Sequence, residues 1–207
     1  MTWVAPALLL VVLATSAGTG QAARPSEPSV PRARANTLGQ LLVATDDLHD
    51  PRFARSVVYM LRHDAAGALG LVVNRPVGTL PLARVLESLG REHAHARGEI
   101  RMHYGGPVEP GRGFVLHTRE WRNDETRVVH GDIAVTSDPA VFDALGRGIG
   151  PRRALFVAGY AGWAPGQLEA EIEHGFWLVV DADEALIFDE DAATKWERAT
   201  QRRKIAL

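Results

Sequence analysis

Between Tyr104 and Thr118 the chain reads Tyr104-Gly105-Gly106-Pro107-Val108-Glu109-Pro110-Gly111-Arg112-Gly113-Phe114-Val115-Leu116-His117-Thr118, with four glycines and two prolines set between two apolar segments. Glycine admits positive φ, while proline fixes φ and removes a donor, so the backbone here is steered along a path that ordinary residues resist. Two readings fit such a stretch. It is either a tight crossing between strands or a cradle of backbone N–H groups with Arg112 directed at an anion. On the cradle reading Gly105, Gly106 and Arg112, with the nearby Asn74 and Arg75, hold a small anionic ligand. On the crossing reading the glycines only permit close approach and the arginines are solvated, which is the simpler account.

The segments around this stretch read as a packed domain. Leu41–Ala44 is a short apolar strand, followed by the turn-forming Asp46-Asp47-Leu48-His49-Asp50-Pro51. Ser56–Arg62 is a second strand, rich in β-branched and aromatic residues, and a hairpin through residues 63–67 leads to a third over residues 68–74. Their near-continuous apolar character predicts strands covered on both faces. Arg75-Pro76 ends the third strand. Leu80, Leu82, Val85, Leu86 and Leu89 follow helical spacing, with Gly90 at the expected stop. Strands are expected over residues 100–104, 113–118, 154–160 and 176–180, with a hairpin or bulge at His130-Gly131-Asp132. Helices are expected after Asp138-Pro139, from the tight turn that begins at Ala161-Gly162-Trp163-Ala164-Pro165-Gly166, and over the C-terminal stretch from Asp191. Strands and helices interleave without a strict βαβ period, so the class is α+β or mixed α/β.

The first residues stand apart. Trp3–Ala14 is an apolar run followed by small and polar residues, too short for a spanning helix and suited to a signal peptide over residues 1–22, although no Lys or Arg precedes it. The expected location is therefore periplasmic or secreted, and cytoplasmic if the start site lies further downstream. Residues 23–37 carry three prolines and three arginines with little to bury, and read as a linker to a single domain over residues 38–207. The chain has no cysteine, which excludes disulfides, thiolate chemistry and anchoring through an acylated cysteine; no stable membrane anchor is expected.

Signatures of chemistry are sparse. G-x-S-x-G, Walker, H-E-x-x-H and paired C-x-x-C patterns do not occur, and no cofactor is expected. His93-x-His95 places two imidazoles on one side of an extended segment, but the flanking arginines disfavour a cation there. Ser56 with His63 and Asp64, or Ser137 with His130 and Asp132, are close in sequence, whereas a hydrolytic triad is defined by spatial roles. Glu169 and Glu173 share a helix face opposite Leu168 and Ile172, as a solvated face would. Trp163 and Trp177 read as core aromatics sealing tight turns in preference to a binding wall. A net charge of −2 and scattered basic residues disfavour nucleic acid as a partner.

Tyr104-Gly105-Gly106-Pro107 followed by Gly113-Phe114-Val115-Leu116-His117 resembles the bacterial YqgE/AlgH family. The likeness continues through Leu41-Leu42-Val43-Ala44, Asp50-Pro51-x-Phe53-x-x-Ser56-Val57, Gly67–Pro76, Thr136-Ser137 and Gly159–Ile172, in that order along the chain. It implies an α+β fold in which a mixed β-sheet is partly curled into a small barrel with flanking helices. It implies no established reaction, cofactor or catalytic residue. The label of transcriptional regulator carried by some relatives suggests one alternative, and a hydrolase with an unrecognised site is another. The expected function is a non-enzymatic binding or regulatory module whose partner is an unknown protein or a small anionic ligand.

Overall fold

The computed structural model describes residues 36–92 and 95–202. The N-terminal apolar run, the linker before Asn36, His93 and the basic Arg203 and Lys204 lie outside the described residues. In chain order the elements are β1 (Gln40–Ala44), β2 (Val57–Asp64), β3 (Gly67–Val72), β4 (Pro76–Pro81), α1 (Leu82–Ser88), β5 (Glu99–Tyr104), β6 (Val108–Thr118), β7 (Arg127–His130), β8 (Ile133–Thr136), α2 (Ala140–Gly146), β9 (Ala154–Trp163), α3 (Gln167–Glu173), β10 (Trp177–Asp181), α4 (Glu184–Phe188) and α5 (Lys195–Arg202).

The strands form one curled mixed sheet in the order β10-β1-β2-β3-β9-β6-β8-β7, with the antiparallel β4–β5 pair joined to β9 through a parallel pairing of β5. Strand alternation then explains the continuous apolar runs. Leu41, Val43, Val57, Tyr59, Leu61, Phe114, Leu116, Leu155 and Val157 point into the curl and share one core with Leu186, Ile187 and Ala199 of α4 and α5. Their neighbours Leu42, Ala44, Val58 and Met60 point outward, where Leu168 of α3, Trp163 and Trp177 cover them. Val115 and Phe156 likewise meet Leu82 and Leu86 of α1 and Val141 of α2. Both faces of the central strands are thus covered by apolar partners.

β9 is the hub of the sheet. Its Phe156–Ala158 portion pairs with β5 and its Ala161–Trp163 portion with β3, and the exchange of partners falls at Gly159, whose φ is 74°. Gly105 leaves β5 at that point. Its N–H donates to the Ala158 carbonyl at 2.8 Å and its carbonyl accepts from Val72 N–H at 2.9 Å. A Cβ on Gly105 would lie 2.2 Å from the Gly159 carbonyl oxygen, and one on Gly106 would lie 2.2 Å from the Tyr160 carbonyl carbon. Only residues without a side chain fit this backbone crossing.

Several elements differ from the sequence expectation, among them β6, which begins at Val108 and not at residue 113. Pro76–Pro81, expected in part as helix, forms the exposed strand β4, and helix begins only at Leu82. β9 also runs on to Trp163, so the segment expected as a turn after Tyr160 completes the pairing with β3.

Candidate functional site

Arg112 stands at the mouth of the curl. β6 is irregular between Val108 and Gly113, and Glu109 there takes a φ of 45°, a conformation that non-glycine residues rarely occupy. The Tyr160 hydroxyl donates to Glu109 Oε1 at 3.0 Å, and Arg112 sits 3.4 Å from Glu109 Oε2 with its guanidinium 5.0 Å from the Phe114 ring centroid. The irregularity turns Arg112 over the floor of the barrel end.

A second irregularity brings another arginine to the same place. The β2–β3 register shifts between Met60 and Arg62, which leaves Leu61 outside the ladder. Arg127 of β7 donates from Nη1 to the Leu61 carbonyl at 2.9 Å, so a side chain joins the last strand of the sheet order to β2. Arg62, two residues before Asp64 and 3.6 Å from its carboxylate, projects beside it.

Arg62, Arg112 and Arg127 thus rim one open cleft of about 760 Å³, whose floor is Leu61, Leu69, Phe114 and Val135. Its acidic residues are Glu125 and Asp138, and Asp138 is already committed, accepting from Asn123 Nδ2 at 2.6 Å and Ala140 N–H at 2.9 Å. Among the described residues Arg127 has no carboxylate at salt-bridge distance. Beneath it lies Tyr59, fully buried, with a hydroxyl that has no hydrogen-bond partner. Burial pushes the Tyr59 phenol well above its ordinary pKa, against the opposing pull of the Arg127 charge. The arrangement offers several guanidinium N–H donors around an apolar floor, a combination suited to an anion with a hydrophobic body.

The other residues singled out by sequence lie elsewhere. Asn74 accepts Val57 N–H at Oδ1 and donates from Nδ2 to the Arg55 carbonyl, both at 2.9 Å. Arg75 donates to the Arg52 carbonyl and, at 2.7 Å, to the Ala54 carbonyl. Both side chains hold the loop between β1 and β2, and Gly105 and Gly106 sit at the crossing described above. The structure therefore separates Arg112 from the four residues grouped with it. Arg62, Arg127 and Tyr59 were not legible as partners of Arg112, because bulges and sheet curl bring them together. His95 is exposed, and among the described residues no cluster of three metal-ligating side chains occurs.

The family model described as DUF179, AlgH-like, matches residues 41–207. The chain belongs to the AlgH-like family. A UPF0301 protein from Methylococcus capsulatus is 42% identical over 180 residues, covering 87% of this chain and 98% of its own. One from Bradyrhizobium diazoefficiens is 40% identical over 202 residues, 93% of each chain. The solution structure of the AlgH protein from Pseudomonas aeruginosa, 38% identical, superimposes with a TM-score of 0.69 over 86% of this chain and 93% of that one.

The motifs that carry the AlgH-like resemblance meet in a different cleft, of about 410 Å³, lined in part by Asp50, Phe53, Pro107, Trp163, Glu171 and Trp177. Phe53, Trp163 and Trp177 pack with ring centroids 5.9 to 6.4 Å apart. Glu171 Oε2 accepts both indole N–H groups at 2.8 Å, and Oε1 accepts from Gln167 Nε2 at 2.8 Å. Trp163 and Trp177 are buried within a core cluster.

Proposed function

We propose that this AlgH-like protein is a non-enzymatic binding module that holds an anion with an apolar body in the arginine-rimmed cleft. The observation that carries this reading is the convergence of Arg62, Arg112 and Arg127 on the apolar floor of Leu61, Leu69, Phe114 and Val135. Guanidinium groups match carboxylate and phosphate oxygens in pairs, and the floor rewards a hydrophobic tail or ring. Ser137 lines the same space, but the carboxylate beside it, Asp138, already accepts from Asn123 and from Ala140 N–H, so binding is favoured over turnover.

The test is a thermal-shift titration of the full chain with octanoate, salicylate and pyrophosphate. Octanoate or salicylate raises the melting temperature, and Arg112→Ala or Arg127→Ala weakens the effect by about tenfold or more, with weaker binding at higher salt. Absence of any shift, or an undiminished shift in both variants, overturns the reading. We also propose, from the N-terminal apolar run, that the module acts outside the cytoplasm. N-terminal sequencing of the protein recovered from cells decides this, because an intact Met1 in the cytoplasmic fraction refutes export.

A further inference from the structure

A second polar space lies on the far side of β5. Ile100 and Met102 pack under α1 and α2, so alternation sends Glu99, Arg101 and His103 to the opposite face. There, with Thr79, Asp189 and Glu190, they line a cavity of about 300 Å³. His103 is only 3% exposed.

The tautomer of His103 follows from its partners. Its Nδ1 lies 3.2 Å from the Arg101 carbonyl and 3.3 Å from the Phe156 carbonyl. Carbonyl oxygens only accept, so Nδ1 carries the proton and Nε2 of the neutral ring is an acceptor. Among the described residues Nε2 has no hydrogen-bond partner, and unlike the sealed Nε2 of His117 it is left open to the cavity. Burial first, and then the nearby Lys195 charge, hold the His103 pKa below its ordinary value, which keeps the ring neutral.

The surrounding charges narrow the ligand. Arg101 donates from Nη1 to the Glu190 carbonyl at 2.8 Å, and among the described residues no carboxylate stands at salt-bridge distance from it. Its remaining N–H groups suit a carboxylate. Lys195, fully buried and donating to the Val73 and Ile187 carbonyls at 3.0 and 2.7 Å, puts positive charge behind His103. That charge disfavours a cationic donor at Nε2 and favours a neutral hydroxyl. Three carboxylates line the cavity: Glu99 and Glu190, exposed at the rim, repel ligands with more than one negative charge, while Asp189 is engaged by Arg198 at 2.5 Å. Arg101 and His103 are two residues apart on one strand face, roughly 7 Å between Cα atoms, a span that one short molecule bridges.

We propose that this cavity is a binding site for a short monoanionic hydroxy acid, its carboxylate on Arg101 and its hydroxyl donating to His103 Nε2. The site is separate from the arginine-rimmed cleft and does not depend on it.

The experiment titrates full-length protein carrying ¹⁵N-labelled histidine with lactate and with glycerate, using propionate as the analogue that lacks the hydroxyl. Lactate or glycerate moves the His103 Nε2 resonance in a saturable manner. Propionate binds at least about tenfold more weakly, because it leaves the imidazole acceptor without a donor. Arg101→Gln abolishes saturation while leaving thermal unfolding unchanged, and Arg112→Ala has no effect. Equal binding of propionate, shifts that never saturate, undiminished binding in Arg101→Gln, or loss of the shift in Arg112→Ala each overturns the proposal. The comparison of the three acids uses unaltered protein, so it holds even where a His103 variant fails to fold.

Discussion

The aromatic cleft and the arginine-rimmed cleft are of comparable scale but opposite in how their polar atoms are treated. In the first, the Glu171 carboxylate meets three donors, two indole N–H groups and the Gln167 amide, each at 2.8 Å. In the second, the Tyr59 hydroxyl has none, and Arg127 faces no carboxylate among the described residues. Folded proteins satisfy nearly all of their buried polar groups. A saturated cluster is therefore scaffolding, and its removal is felt as lost stability. A cluster left with open donors has less to lose when one of its members is removed.

The largest expected effect comes from breaking the saturated side. Glu171→Ala strands two buried indole N–H groups, and at about 1–3 kcal/mol for each orphaned donor the loss is about 4 kcal/mol in denaturant unfolding. A loss below about 1 kcal/mol would remove the distinction between the two clefts.

Lys195 lies between the extremes, with two carbonyl acceptors and no carboxylate bonded to it. Burial lowers its pKa from 10.5 to about 8. Between those values the unfolded chain holds a proton that the folded chain has released, so stability rises with pH through this window and is lost again as pH falls to about 8. At 1.36 kcal/mol per unit the gain is about 3 kcal/mol. Unfolding free energies of wild type and Lys195→Met measured across this window isolate it, since the opposing alkaline contribution of Tyr59 is common to both. A pH-independent difference contradicts the burial of a titrating lysine.

The smallest effect is expected on the unsaturated side. Tyr59→Phe deletes a hydroxyl that has no partner, so stability changes by less than about 1 kcal/mol and in the favourable direction. A clear destabilisation would show that the hydroxyl is satisfied in solution, and would narrow the contrast between the two regions.

Much of the sheet was legible because β1, β2, β3 and β9 carry apolar residues on both faces, and such runs announce themselves without an alignment. β4 was not, because all six of its residues are exposed and prolines bound it, so no burial pattern marks it as a strand. The Gly105-Gly106 crossing was legible as one of two readings, since a double glycine signals close approach but not what approaches. The cleft was legible only through Arg112. Arg62 and Arg127 are 65 residues apart, and two register shifts and the curl of the sheet bring them to the same rim. Lys195 gave no sequence signal at all, since nothing in Thr194-Lys195-Trp196 indicates that the amine turns inward.

The bond from Arg127 to the Leu61 carbonyl means that the barrel's seam is fastened by a side chain where a backbone ladder would otherwise run. A guanidinium has several N–H groups, so one arginine can grip the strand and an anion together. The seam therefore hangs on one side chain, and whatever loosens Arg127 loosens the closure of this small barrel.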